Sequence, residues 1–296
     1  MRNALGTAAA IVLGFTVAWP ILDFLFIRQR TAEEESGLEG SDAADNLFAN
    51  GVNLTGTSGP DLLTGTDTGE TLSGEGDPDI LKGLGGDDTL DGGPDVDQLF
   101  GGSGADTFLF RDTPGTDYDR IQDASTSDIF GLVTSSAGSL FSPFTNLVDG
   151  DGAAQTAVAD DASENVVVSD SIYVDDTSPQ VQINPSSVDV LVFYAGTTGT
   201  TGIADGLDGL VAALIATNPT VVEKNGGGAF LVGDEMVVVV ENTTTSRIEV
   251  GLITDENGGG GFGDLGDTVE MIFEIDDTNN LSAQQVASQI DFLGLA

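Results

Sequence analysis

Between Thr55 and Phe108 a glycine, an acidic residue and an apolar residue return every nine positions. A fixed period narrows the architecture of a chain before any single residue is interpreted. The copies read TGTSGPDLL from Thr55, TGTDTGETL from Thr64, SGEGDPDIL from Ser73, KGLGGDDTL from Lys82, DGGPDVDQL from Asp91 and FGGSGADTF from Phe100. The second position is always glycine (Gly56, Gly65, Gly74, Gly83, Gly92, Gly101), the seventh always acidic (Asp61, Glu70, Asp79, Asp88, Asp97, Asp106), and the ninth Leu or Phe. Glycines let the chain turn through backbone angles closed to other residues and bring carbonyl oxygens together. An apolar ninth position on a short strand can point inward, so stacked copies bury a narrow core that one copy alone could not. The acidic residue then lies in the turn beside those carbonyls. Oxygen ligands without nitrogen or sulfur suit a hard cation such as calcium, which takes about six to eight of them at about 2.3–2.6 Å.

These residues resemble the haemolysin-type calcium-binding repeats of RTX proteins, whose pattern G-G-x-G-x-D-x-(apolar)-x stands most fully as GGSGADTFL from Gly101. The resemblance covers residues 56–108. It implies a parallel β-roll with two nine-residue half-turns per coil and Ca2+ held between one loop and the loop a coil further on. On that pattern Asp61 pairs with Asp79, Glu70 with Asp88, Asp79 with Asp97, and Asp88 with Asp106. The candidate metal-site residues are these six acidic residues with Gly74, Gly83, Gly85, Gly92 and Gly101. Toward the N-terminus the copies depart from the pattern, with Glu70 in place of Asp and with Pro60 and Thr68 interrupting the glycines.

Composition bounds the remainder. Forty-nine acidic residues against eight basic ones give a net charge of −41, which repels nucleic acid and makes the compact state self-repelling until cations neutralise it. Cysteine and histidine are both absent. That excludes disulfides, thiolate or histidine-held zinc, and Ser-His or Cys-His catalytic pairs.

The first thirty residues carry an uncharged run, Ala4 to Leu22, resumed at Phe24 to Ile27, long enough to cross a bilayer as a helix. An uncleaved membrane anchor over residues 4–27 is the favoured reading, ahead of a cleaved signal and a buried core helix. Residues 31–54 read as an acidic linker, 55–110 as the roll and 111–187 as a loop-rich β connection. Within the connection Arg120 to Asp123 and Ser127 to Ile129 resemble the segment that closes such rolls.

From residue 188 to 296 the sequence reads as a β-rich domain. VDVLVFY, MVVVVEN, RIEVGLIT and TVEMIFEI are β-branched runs of strand length. One helix is expected where Leu207, Leu210, Val211, Leu214 and Ile215 recur at helical spacing. The block resembles the C-terminal domain of type I secreted RTX proteins, and the tail LSAQQVASQIDFLGLA resembles their export signals. Gly261, Gly263 and Gly266 spell G-x-G-x-x-G, but the run beginning at Thr268 is a strand where phosphate binding needs a helix. Asp149 with Asp151, and Asp255, Asn257, Asp264 and Asp267, are weaker calcium candidates, since neither stretch completes an EF-hand loop and both read more readily as plain turns.

The expectation is therefore a mainly β protein: a short calcium-binding parallel β-roll, a β-rich C-terminal domain with one or two helices, and an N-terminal hydrophobic helix. A secreted or surface-anchored calcium binder with a structural or interaction role and no catalysis is the leading function. Type I secretion machinery is an implied partner. The alternative is an extracellular hydrolase working with carboxylates, for which the roll is a folding and secretion aid.

Overall fold

The computed structural model describes residues 29–31, 45–49, 53–111, 117–135, 166–169, 181–183, 190–193, 206–210, 222–224, 235–256, 261–262, 267–276 and 281–295. The expected anchor at 4–27 and the Asp149–Asp151 pair lie outside them. Among the described residues no helix is long and apolar enough to cross a membrane.

The chain is mainly β, with a parallel β-solenoid of about four turns over the repeats and, among the described residues, two short helices. Successive half-turns fall alternately into two sheets, because nine residues hold one short strand and one turn. One sheet runs through Gln29–Thr31, Asn46–Phe48, Leu62–Thr64, Ile80–Gly85, Gln98–Ser103 and Asp119–Ile121. The other runs through Leu54–Thr55, Thr71–Ser73, Thr89–Asp91, Thr107–Phe110, Ile129–Ser135 and Ile290–Leu295. Every neighbouring pair in these two runs is parallel.

Register places the inward residues in two columns. Leu47, Leu63, Leu81, Leu99 and Ile121 stack in the first sheet, and Leu54, Leu72, Leu90, Phe108 and Phe130 in the second. All ten are buried. Each such side chain contributes about 1.5–3 kcal/mol by leaving water, and none can do so without its neighbours in the stack.

Strands begin before the repeats do, since Asn46–Phe48 and Leu54–Thr55 pair with the first copies inside the stretch read as linker. The first sheet also continues beyond the roll. Asp119–Ile121 pairs in parallel with Thr268–Ile275, and the sheet proceeds through Arg247–Thr254, Glu235–Asn242, Val190–Phe193 and Val166–Ser169. The strands read from MVVVVEN, RIEVGLIT and TVEMIFEI are thus the antiparallel centre of a sheet shared with the roll. Three strands, Val181–Ile183, Val222–Lys224 and Gly261–Phe262, form a separate small sheet.

The two described helices are residues 206–210 and Ala283–Ala287, while Val211, Leu214 and Ile215 of the expected helix lie outside the described residues. The second begins at a capping box in which Ser282 and Gln285 satisfy each other's backbone N–H groups. The tail compared above with an export signal is this helix followed by the strand Ile290–Leu295, which pairs with Ile129–Ser135. Aromatic packing fills the join between roll and C-terminal sheet. Phe110 stacks on Phe273 at 4.2 Å between ring centroids, and Phe130 meets Phe273 at 5.2 Å.

Candidate metal centre

The acidic seventh positions turn inward. Asp61, Glu70, Asp79, Asp88, Asp97 and Asp106 are all buried, although a carboxylate in such a place is costly unless something compensates its charge. Part of the compensation is a backbone ladder. The N–H of Asp61 donates to Asp79 Oδ1 at 2.6 Å, that of Glu70 to Asp88 Oδ1 at 2.8 Å, that of Asp79 to Asp97 Oδ1 at 2.7 Å, and that of Asp88 to Asp106 Oδ1 at 2.9 Å. The structure therefore brings together, one coil apart, the four pairs that the repeat pattern implies.

The second oxygen is left over. Oδ2 of Asp79, of Asp88 and of Asp106 is buried without a hydrogen-bond donor. Each lies against the second-position glycine of its own copy, so closely that a methyl group there would collide with it: Gly74 for Asp79, Gly83 for Asp88 and Gly101 for Asp106. Gly92 stands in the same relation to Asp97. A carbonyl from the following coil crowds the same spot, Gly92 O at Gly74 and Gly101 O at Gly83. Gly85 differs, facing Ser103 and Asp67 instead of a ladder carboxylate.

Electrostatics agrees with geometry. Burial pushes the Asp79 carboxyl up to about 8, against the backbone hydrogen bond from Asp61 and with help from the charges of Asp97, Asp61 and Asp77. Burial likewise raises Asp106 to about 6 and raises Asp88. These groups are held where the protein alone does not support their charge. A buried carboxylate oxygen without a donor, beside a carbonyl oxygen and a glycine that keeps the space clear, fits a hard cation. Among the described residues no three acidic side chains converge on one point, so a ligand set there would draw on carbonyl oxygens beside its carboxylates. A divalent ion there would supply the positive charge that these carboxylates lack.

The loops that present these oxygens share an unusual backbone. The third and fifth positions have positive φ in all four copies from Ser73: Glu75 and Asp77, Leu84 and Gly86, Gly93 and Asp95, Gly102 and Gly104. Glycine accepts this without strain, whereas Leu84 at φ 76° incurs it.

The first two copies are built differently. No residue between Thr55 and Leu72 has positive φ. Thr57 donates to Asp61 Oδ2 through both its N–H, at 2.6 Å, and its hydroxyl, at 3.0 Å. Glu70 Oε2 accepts from the Thr66 N–H at 3.0 Å, and Oε1 from the hydroxyls of Thr66 and Thr68, each at 2.5 Å. Burial works against the charge of Glu70, but the Thr66 and Thr68 hydroxyls and the Thr66 N–H outweigh it and lower its pKa.

The ladder also reaches beyond the repeats. Asp45 N–H donates to Asp61 Oδ1, Asp97 N–H to Asp119 Oδ1, and Asp106 N–H to Asp128 Oδ1. These three were missed in the sequence because their spacings, 16 and 22, break the period of 18. A signal was present nonetheless: Asp45-Asn-Leu47, Asp119-Arg-Ile121 and Asp128-Ile-Phe130 repeat the acidic-x-apolar step of the copies. Where the strand Asp119–Ile121 ends, the Asp123 carboxylate continues the contact with Gln98–Ser103, accepting from the N–H groups of Gly101 and Gly102.

In the C-terminal sheet Glu249 accepts from Leu207 N–H and Asn242 Nδ2, and Glu274 meets Arg120 and Arg247. Asp267 Oδ1 accepts from Glu256 N–H, while Asn257 and Asp264 lie outside the described residues.

Residues 73–108 match the family model for the RTX calcium-binding nonapeptide repeat, in four copies. These are the copies with the positive-φ loops. No curated protein and no solved structure gives a match.

Proposed function

We propose that this is a secreted or surface-anchored protein whose roll takes up calcium to become rigid and serves a structural or interaction role. RTX nonapeptide repeats bind Ca2+. The observation that carries the reading is the donorless Oδ2 of Asp79, Asp88 and Asp106, each beside its glycine. A chain of net charge −41 that needs cations to close its core suits an environment rich in calcium, as outside the cell. Glu249 and Glu274, buried neighbours on adjacent strands, are each engaged by structural partners and lend no support to hydrolysis.

Circular dichroism and calorimetric titration of the full chain test the reading. Added calcium should give saturable binding and a gain of strand signal that a chelator reverses, and an unchanged spectrum would sink it. At a free concentration about a hundred times the dissociation constant, each independent site stabilises the fold by about 2.7 kcal/mol.

Location is part of the proposal. With residues 4–27 as an anchor, the full chain partitions with membranes and a chain lacking residues 1–30 does not. Recovery of the intact chain from culture supernatant points instead to type I secretion machinery reading the C-terminal tail.

A further inference from the structure

Every coil of the roll must neutralise a buried carboxylate, and two different devices do so. From Ser73 to Phe108 the loops open through positive φ at the third and fifth positions, and Asp79, Asp88 and Asp106 keep an oxygen with no protein donor. In the two copies before them the third position is threonine, without positive φ, and its N–H and hydroxyl both turn onto the carboxylate of the same copy. Thr68 adds a second hydroxyl to Glu70. A cation and a donor hydrogen compete for the same lone pairs, so Asp61 Oδ2 and Glu70 Oε1, which each accept two hydrogen bonds, are closed to the ion, and Glu70 Oε2 is already engaged by the Thr66 N–H. Exchanging these fixed donors for a cation leaves the threonine hydroxyls and N–H groups to find new partners.

The same device returns at the other end. Asp128 Oδ2 accepts from Ser125 N–H at 2.7 Å and Oδ1 from the Ser125 hydroxyl at 2.8 Å, while Ser127 Oγ donates to Gly104 O at 2.7 Å. Hydroxyl residues thus flank the open rungs on both sides.

We propose that Thr57, Thr66 and Thr68 take the place of calcium at Asp61 and Glu70, so that the first two copies are ion-free rungs and calcium is confined to the copies from Ser73 onward. The inference rests on the calcium reading above and refines which carboxylates take part. It also gives the ion-free rungs a task. The N–H groups of Asp61 and Glu70 hold Oδ1 of Asp79 and Asp88, the first two open carboxylates, and so present a preset edge on which the ion-dependent coils assemble.

Counting bound calcium per full-length chain, by equilibrium dialysis with the metal alone, tests this. Asp88→Asn should lower the count and Glu70→Gln should leave it at the wild-type value. In the converse variant, Thr66→Gly and Thr68→Gly with Glu70→Asp, the second copy loses its hydroxyls and gains an open loop, and the count should rise by one ion. A fall with Glu70→Gln equal to that with Asp88→Asn overturns the proposal and leaves the calcium reading standing. So does a converse variant that is folded by circular dichroism in calcium and gains no ion. Absence of calcium binding by the wild-type chain overturns both.

Discussion

At the residue scale the ladder carboxylates set an unusual pH dependence. Once calcium is removed, the raised folded pKa of Asp79, about 8, and of Asp106, about 6, mean that the folded chain holds protons the unfolded chain has lost. Their contribution is fully present below the unfolded value, about 3.9, and is lost as pH rises through the folded values. Glu70, lowered, works the other way and loses its contribution only as pH falls below the ordinary carboxylate range. In chelator the roll should therefore be more ordered at about pH 5.5 than at about pH 8.5, with calcium abolishing the difference. Strand signal in circular dichroism reads this out, and a chelated protein more ordered at the higher pH contradicts it. A second expectation concerns the space beside the free oxygens. In Gly83→Ala the new methyl meets Asp88 Oδ2 and lies 2.6 Å from Gly101 O. Overpacking of this kind costs about 1–3 kcal/mol, so its urea midpoint in calcium should fall and the calcium needed for folding should rise.

At the scale of elements, three-residue strands are too short to be stable by themselves, and their stability comes from the stack. Leu81 is buried between Leu63 and Leu99 in the middle of its column. Leu81→Ala leaves a cavity that neighbours fixed in register cannot collapse into, and should cost about 2–5 kcal/mol in calcium-loaded protein. Urea denaturation measures it, and a loss under about 1 kcal/mol would mean that the column is not a packed core. The second sheet ends on Ile290–Leu295, which pairs with the last strand of the roll and covers an edge that would otherwise stay open to other chains. Leu109 and Leu293 both reach over Gly131, where any side chain would collide with Leu293.

For the whole molecule, charge sets the condition for compactness. Against 49 acidic residues there are 8 basic ones, and two of these meet buried acidic groups at the join. Arg120 meets Glu274 at 2.8 Å, and Arg247 reaches both Glu274 and Asp276. Glu274 remains raised by burial in spite of both guanidinium groups. Most of the remaining repulsion is left for bound ions to meet. Calcium should contract the chain, and magnesium at the same concentration should do so far less, because Mg2+ demands compact octahedral geometry and keeps its waters. Small-angle scattering gives the radius in each ion, and equal contraction would indicate general screening instead of fitted sites.

The sequence spells out the roll, its inward leucines and its acidic rungs, because all three follow from one period that stacking converts directly into register. It also carried the β-branched strands from Glu235 to Ile275. The rest is settled by assembly, where spacing stops being regular. Asp45, Asp119 and Asp128 join the ladder through intervals of 16 and 22 residues, so no periodic template finds them. Of the three threonines only Thr68 stands out in the sequence, as an interruption of the glycine pattern, and it takes the hydrogen bonds of Thr57, Thr66 and Thr68 to Asp61 and Glu70 to reveal them as substitutes for an ion. The tail enters the second sheet, and Thr268–Ile275 joins the roll, through pairings more than a hundred residues apart in the chain. Such contacts depend on which edge is open when the roll ends, a property of the assembled sheets that no local pattern encodes.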